Sequence, residues 1–204
     1  MLFEDTYITI PKPAEGVFKD RGSKFLGYAF PVENEDEAKA HIAHLKTEHA
    51  KARHFCWALR LSPDRSVFRL NDDGEPAGTA GRPILNTLLS ADLTNILVVV
   101  VRYFGGTLLG VPGLINAYKT AAKEAINAAG TITKTVNDIY RLRFSYLNLN
   151  EVMKIIKDEN LKSSQQHFDN NCSMELSVRK SQLNQVLAKL ESIDGLKAEY
   201  ISSH

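Results

Sequence analysis

The sequence predicts an α+β protein of two domains, divided near residue 135. Three observations carry this. Asn95–Tyr103 is β-branched and apolar on both parities, which marks a central strand covered on at least one face. Around it, strands, helices and two glycine-rich loops follow one another without an internal repeat. From Tyr140 onward the periodicities run β-α-β-β-α-β over about 65 residues, the ferredoxin-like split unit.

In chain order, Ser23–Phe30 reads as a strand. Asn34–His49 reads as a helix, with Ala38, Ile42 and Leu45 on one face. Arg53–Leu61 and Val67–Leu70 are further strands. Asn71–Arg82, rich in Gly, Asp and Pro, is a loop. Pro83–Ala91 looks helical, Asn95–Tyr103 is the central strand, and Gly105–Gly113 is a second glycine loop. A helix then spans Leu114–Ala129. Leu114, Tyr118, Ala121, Ala122 and Ala125 share a face, and Gly130 stops it. Gly130–Asn137 is the expected boundary. Beyond it, Tyr140, Leu142, Phe144 and Tyr146 alternate as in a half-buried strand, and Leu149, Val152, Met153 and Ile156 follow at helical spacing. Lys162–Phe168 is a polar strand, and Asp169-Asn170-Asn171 is a turn. Cys172–Val178 alternates again. Ser181 is placed to cap a helix with Leu183, Val186, Leu187 and Leu190 inward. Gly195 ends it before a last strand, Leu196–Tyr200.

The chain has 204 residues, 44% of them hydrophobic, and needs no disulfide or metal to hold a core. Twenty-five basic and 24 acidic residues leave a formal charge of +1, which argues against a broad electrostatic binder of nucleic acid or membrane. Cys56 and Cys172 sit in apolar runs without a CxxC partner and are expected to be buried thiols. The start, Met1-Leu2-Phe3-Glu4-Asp5, is acidic where a signal peptide is basic. The longest apolar run, Ile96–Val101, is far short of a span of about 20 residues. A cytoplasmic protein is expected.

Two segments could carry chemistry. In Asn71-Asp72-Asp73-Gly74-Glu75-Pro76-Ala77-Gly78-Thr79-Ala80-Gly81, three carboxylates crowd a glycine loop. Such charges repel unless a cation or backbone donors compensate. A divalent cation and a self-bonded turn are the alternatives, and the spaced ligands of an EF-hand are missing. In Arg102-Tyr103-Phe104-Gly105-Gly106-Thr107-Leu108-Leu109-Gly110-Val111-Pro112-Gly113-Leu114, glycines join the apolar strand to a helix. Their amides, with Arg102, could receive phosphate. The segment is neither a Walker loop nor a dinucleotide fingerprint, and a ligand-free turn is the alternative. The helical spacing of His41, His44 and Glu48 lacks the HExxH order, so it reads as a solvated face. His54 could serve as a general base, but no nucleophile elbow accompanies it.

Asp72-Asp73-Gly74-Glu75-Pro76 with Gly78-Thr79-Ala80-Gly81, then Val99–Gly106 with Leu109-Gly110, resemble the signature of the IMPACT family, bacterial YigZ type. Arg53-His54 and Cys56 match the preceding strand, and the ferredoxin-like half extends the resemblance over nearly the whole chain. It implies a ribosomal-protein-type α+β domain with a left-handed βαβ crossover over residues 1–135. A ferredoxin-like βαββαβ domain resembling the C-terminal domain of elongation factor EF-G follows over 136–204. It also implies a translation-associated regulatory protein that binds RNA, ribosome or a protein partner without catalysis. Eukaryotic relatives compete for the activator of the amino-acid-starvation kinase. That role is not carried over, because no separate partner-binding domain like theirs is seen. The alternative is an enzyme or sensor for a phosphorylated small molecule.

The expected binding residues are Arg53, His54, Asp72, Asp73, Glu75, Gly78, Thr79, Arg102, Gly105, Gly106, Gly110 and Tyr118. The two loops are expected side by side on one concave surface. No metal site is assigned, although the acidic loop could take a divalent cation. Nucleic acid, if bound, is expected on Arg141 and Arg143, on a polar and somewhat basic sheet face without stacking aromatics. Two departures from the family pattern weaken the glycine loop as an anion cradle. Pro112 stands where glycine is usual and removes an amide, and Asn116 stands where a basic residue is usual.

Overall fold

The structure is a computed structural model that describes residues 5–203, so the opening Met1–Glu4 lies outside the described residues. The chain divides into two compact units, residues 7–134 and residues 5–6 with 135–203. Among the described residues no helix is long and apolar enough to cross a membrane.

The first unit holds β2 (Ala14–Asp20), β3 (Ser23–Pro31), α1 (Glu35–Glu48), β4 (His54–Leu61), β5 (Val67–Asn71), α2 (Gly81–Ser90), β6 (Ile96–Tyr103) and α3 (Gly110–Ala129). Its sheet has the order β2-β3-β6-β4-β5, with every neighbouring pair antiparallel. β3 and β4 therefore run parallel on either side of β6, with α1 connecting them. The run of valines in β6 follows from its place: Ile96, Val98 and Val100 pack with α2 and α3, while Leu97, Val99 and Val101 pack with Ala38 and Leu45 of α1. Both faces are covered. The Asn34 side chain caps α1 by accepting from the amides of Asp36 and Glu37.

α3 rests directly on strand backbone. Gly16 and Gly27 lie opposite each other in the β2–β3 register. A Cβ on Gly27 would stand 2.3 Å from the Ala121 carbonyl oxygen, and one on Gly16 2.3 Å from the Ala125 nitrogen. Glycine below and alanine above permit this approach, which brings Tyr118, one turn earlier on α3, down onto the sheet.

The second unit holds β8 (Asn137–Ser145), α4 (Leu149–Asp158), β9 (Lys162–His167), β10 (Asn171–Arg179), α5 (Leu183–Glu191) and β11 (Lys197–Ser203). Its sheet order, β11-β8-β10-β9, is the 4-1-3-2 arrangement of the ferredoxin-like unit. Leu142, Met174 and Leu176 face Val152 and Ile156 of α4 and Val186 and Leu190 of α5.

Three strands were not expected: β1 (Thr6–Thr9), β2 and β7 (Ile132–Thr135), of which β1 and β7 pair in a two-stranded sheet. α2 begins at Gly81 and α3 at Gly110, both upstream of the expected starts. Pro83 and Pro112 each occupy the third helical position, where an amide has no intrahelical acceptor and proline costs no hydrogen bond. Ser181 does not cap α5, whose N-cap is Gln182 without a side-chain bond.

Candidate functional site

Arg102 shares the parity of Val98 and Val100, so it continues the row that faces α2 and α3. In register it is flanked by Phe25 on β3 and His54 on β4. Arg102 Nη1 donates to Glu75 Oε1 at 2.6 Å, and the Tyr118 hydroxyl donates to the same oxygen at 2.7 Å. The guanidinium carbon lies 5.3 Å from the centre of the Phe25 ring and 5.4 Å from that of Phe104. Both charged side chains are buried, at 6% exposure for Arg102 and 4% for Glu75. Burying two charges is costly, and here a charge-assisted bond, a phenol donor and two aromatic faces offset the cost. Burial pushes the Tyr118 hydroxyl far above its ordinary pKa, and the Glu75 charge adds to this. Tyr118 therefore stays a donor.

The other two carboxylates are also satisfied from within. Asp72 accepts from the amides of Gly78 at 2.9 Å, Ala80 at 3.1 Å and Gly81 at 2.7 Å, which ties the loop to the start of α2. Its carbonyl accepts the Cys56 thiol at 2.9 Å. Asp73 Oδ2 accepts the Phe55 amide at 2.7 Å, and the Asp73 carbonyl accepts His54 Nδ1 at 2.9 Å. Asp73 and Gly74 both turn through the left-handed region, and the Gly74 bend lies beside the His54 ring. Thr79 donates to the Pro76 carbonyl at 2.7 Å. Burial pushes the Cys56 thiol far above its ordinary pKa.

Of the expected residues, the fold thus joins His54 to Asp73, and Glu75 to Arg102 and Tyr118, while Asp72 organises Gly78 and the start of α2. It does not bring the three carboxylates to one point. Among the described residues, no group of three His, Cys, Asp or Glu could hold a metal ion. Arg53 is exposed just before β4 and joins none of these bonds. Gly105 packs on the β2–β3 turn: a Cβ there would meet the Gly22 carbonyl carbon at 2.0 Å, and its amide donates to Ser23 Oγ at 3.1 Å. Gly106 is exposed, with open space where a side chain would be, and Gly110 opens α3. Beyond Gly106, Leu109 turns into the core, but several apolar side chains stay exposed. Leu108 is 82% exposed, Val111 53% and Phe104 50%.

In the second unit the expected basic face is corrected to a mixed one. Arg141 lies between Glu175 and Glu199 in the strand register and pairs with Glu175 at 2.7 Å. Arg143 lies 3.8 Å from Glu199. Cross-strand carboxylates neutralise the two arginines singled out for phosphate contact. Sequence reasoning missed Phe25 and Phe104 as the walls around Arg102. The available signal was position: Phe104 is two residues beyond Arg102, and Phe25 lies early in the neighbouring strand.

Comparison with known proteins gives the family. The sequence profile of the Impact N-terminal domain matches residues 21–126, the span that contains every bond described in the first unit. A protein described as an IMPACT family member from Haemophilus influenzae is 35% identical over 173 residues, covering 83% of this chain and 84% of the relative. The chain belongs to the IMPACT family. The IMPACT family member YigZ of Escherichia coli is 33% identical over 154 residues, covering 74% of this chain and 76% of YigZ. A crystal structure of a hypothetical protein superposes with a TM-score of 0.74 at 28% identity, covering 97% of this chain and 98% of that one. For this IMPACT protein, the signature residues are above all builders of the first unit: they fasten a loop to a sheet and a helix.

Proposed function

We propose that this IMPACT protein is a cytoplasmic, translation-associated regulatory protein that acts by binding a macromolecular partner and performs no catalysis. One observation carries the reading: the polar side chains of the signature bond inward, while apolar side chains on and beside its glycine loop are exposed. Asp72, Asp73, Glu75 and Arg102 each bond to protein groups, while Leu108 and Val111 beside the glycine loop are exposed and Phe104 exposes half of its surface with one face on Arg102. Exposed apolar side chains held on a rigid scaffold are the chemistry of an interface. The process comes from the family resemblance, whose eukaryotic members regulate translation. RNA, ribosome and protein are the candidate partners.

The runner-up is a site for a phosphorylated small molecule on the acidic and glycine loops, with or without a divalent cation. The open space at Gly106 favours it. Against it, the carboxylates that would hold a cation already accept internal donors. Co-sedimentation of the purified chain with purified ribosomes separates the two. Binding that is lost in Leu108→Asp supports the proposal. Absence of binding, together with thermal stabilisation by phosphorylated metabolites that requires magnesium, replaces it with the runner-up.

A further inference from the structure

We propose that the groove between α2 and α3 docks an acidic, amphipathic segment of a partner protein. The groove encloses about 600 Å³ and is lined by Arg82, Asn86 and Ser90 from α2 and by Ile115, Lys119 and Lys123 from α3. No carboxylate lines it. Among the described residues, Arg82, Lys119 and Lys123 take part in no ion pair. Elsewhere arginine is commonly paired: Arg60 and Arg65 with Asp92, Arg102 with Glu75, Arg141 with Glu175. Three unneutralised cations converge on one concavity in a chain whose formal charge is only +1.

The apolar part has a definite place in this surface. Val111, Ile115, Lys119 and Lys123 are four residues apart along α3, so they form one stripe, apolar at the start of the helix and basic toward its end. Val111 and Ile115 are both exposed. Twelve residues separate Val111 from Lys123, about 18 Å of helix at 1.5 Å per residue, enough to meet about three turns of a partner helix.

Three features favour carboxylates of a protein over phosphates of a nucleic acid. No aromatic ring lines the groove, so bases have nothing to stack on. Most neutral donors at the groove are already used: Thr87 donates to the Pro83 carbonyl, Ser90 to the Thr87 carbonyl, and the amides of Ala80 and Gly81 to Asp72, which leaves the Asn86 side chain. The apolar end of the stripe matches leucine-type side chains and not a sugar–phosphate chain. What is left is three unpaired cations and the Asn86 amide beside an apolar lip, which is complementary to a helix carrying Leu at one end and Glu at the other.

The inference rests on the macromolecular-binding reading above and names the partner's chemistry. Its test uses the full chain and a fluorescein-labelled helical peptide with leucines followed by glutamates on one face, read by anisotropy. The controls are the same peptide with Lys for Glu, and a uridylate oligonucleotide. The expected result is saturable binding of the Leu–Glu peptide, weakened at least about tenfold in Lys119→Glu/Lys123→Glu and reduced in Ile115→Asp. Lys119→Gln/Lys123→Gln, which keeps polar side chains of similar length, should give an intermediate loss. Arg141→Glu/Arg143→Glu should bind as the parent does. No peptide binding, equal binding of the Lys version, or affinity that survives the charge reversal overturns the proposal. So does uridylate binding at these lysines in preference to the peptide. Ribosome co-sedimentation that persists in the lysine variants, with no peptide binding, removes the groove alone. Peptide binding without co-sedimentation removes the ribosomal reading alone.

Discussion

Glu75 and Arg102 stand 27 positions apart in the chain and meet at 2.6 Å inside the first unit, with the Tyr118 hydroxyl on the same carboxylate oxygen. The bond links the acidic loop, the central strand and α3. The account expects Glu75→Ala to cost about 3–5 kcal/mol, because it strands a buried guanidinium. Tyr118→Phe should cost about 1–2 kcal/mol, since one donor is lost and Arg102 still serves the carboxylate. Denaturant unfolding of the two variants beside the parent measures both.

Gly27→Ala should destabilise by about 1–3 kcal/mol, because the new methyl enters the Ala121 carbonyl and α3 must lift. Gly106→Ala has open space around it and meets only the backbone cost of its positive φ, about 1 kcal/mol. Melting curves should rank Gly27→Ala below Gly106→Ala. The reverse order would mean that α3 does not lie on bare strand backbone.

Cys56 should be inert to iodoacetamide in the native protein and alkylate fully on unfolding. It is fully buried, its thiol donates to the Asp72 carbonyl, and burial holds its pKa far above the ordinary value. Mass spectrometry after timed labelling decides. Rapid native alkylation of Cys56 would show that the acidic loop opens.

The Arg179 guanidinium, helped by Ser181, holds the Asp5 carboxyl near pKa 2, below its ordinary 3.8. Because the folded-state value is the lower one, this pairing contributes stability fully above pH 3.8, and the contribution is lost as the pH falls toward 2. Carboxyl titration by NMR should find the low value in the parent and an ordinary one in Arg179→Gln. An unchanged titration in that variant would remove the pairing from the account.

Much of the fold could be read from the chain because its signals are periodic. Val98 and Val100 inward one way, with Val99 and Val101 the other, declare a two-sided strand. Leu142, Met174 and Val186 declare the faces of the second unit. β2 could not be read, since its inward positions are Ala14, Gly16 and Phe18 while Val17 is exposed. The hydrophobic alternation is inverted where α3 needs glycine. In the site, the acidic loop and Arg102 were legible as unusual residue types. Which donor each carboxylate finds depends on the β4–β6 register, which sets His54 beside Arg102. The groove cations Arg82, Lys119 and Lys123 carry no motif, and only the packing of α2 against α3 brings them together.

The central claim is a division of labour: the polar signature residues build the unit, and exposed apolar residues beside the glycine loop bind. The most direct measurement takes Glu75→Gln and Leu108→Asp through thermal unfolding and ribosome co-sedimentation together. The account predicts that Leu108→Asp unfolds within about 0.5 kcal/mol of the parent and loses co-sedimentation. It predicts that Glu75→Gln loses stability yet, below its melting temperature, co-sediments as the parent does. The contradicting result is the opposite pairing: Leu108→Asp binding as well as the parent, with Glu75→Gln folded but unable to bind.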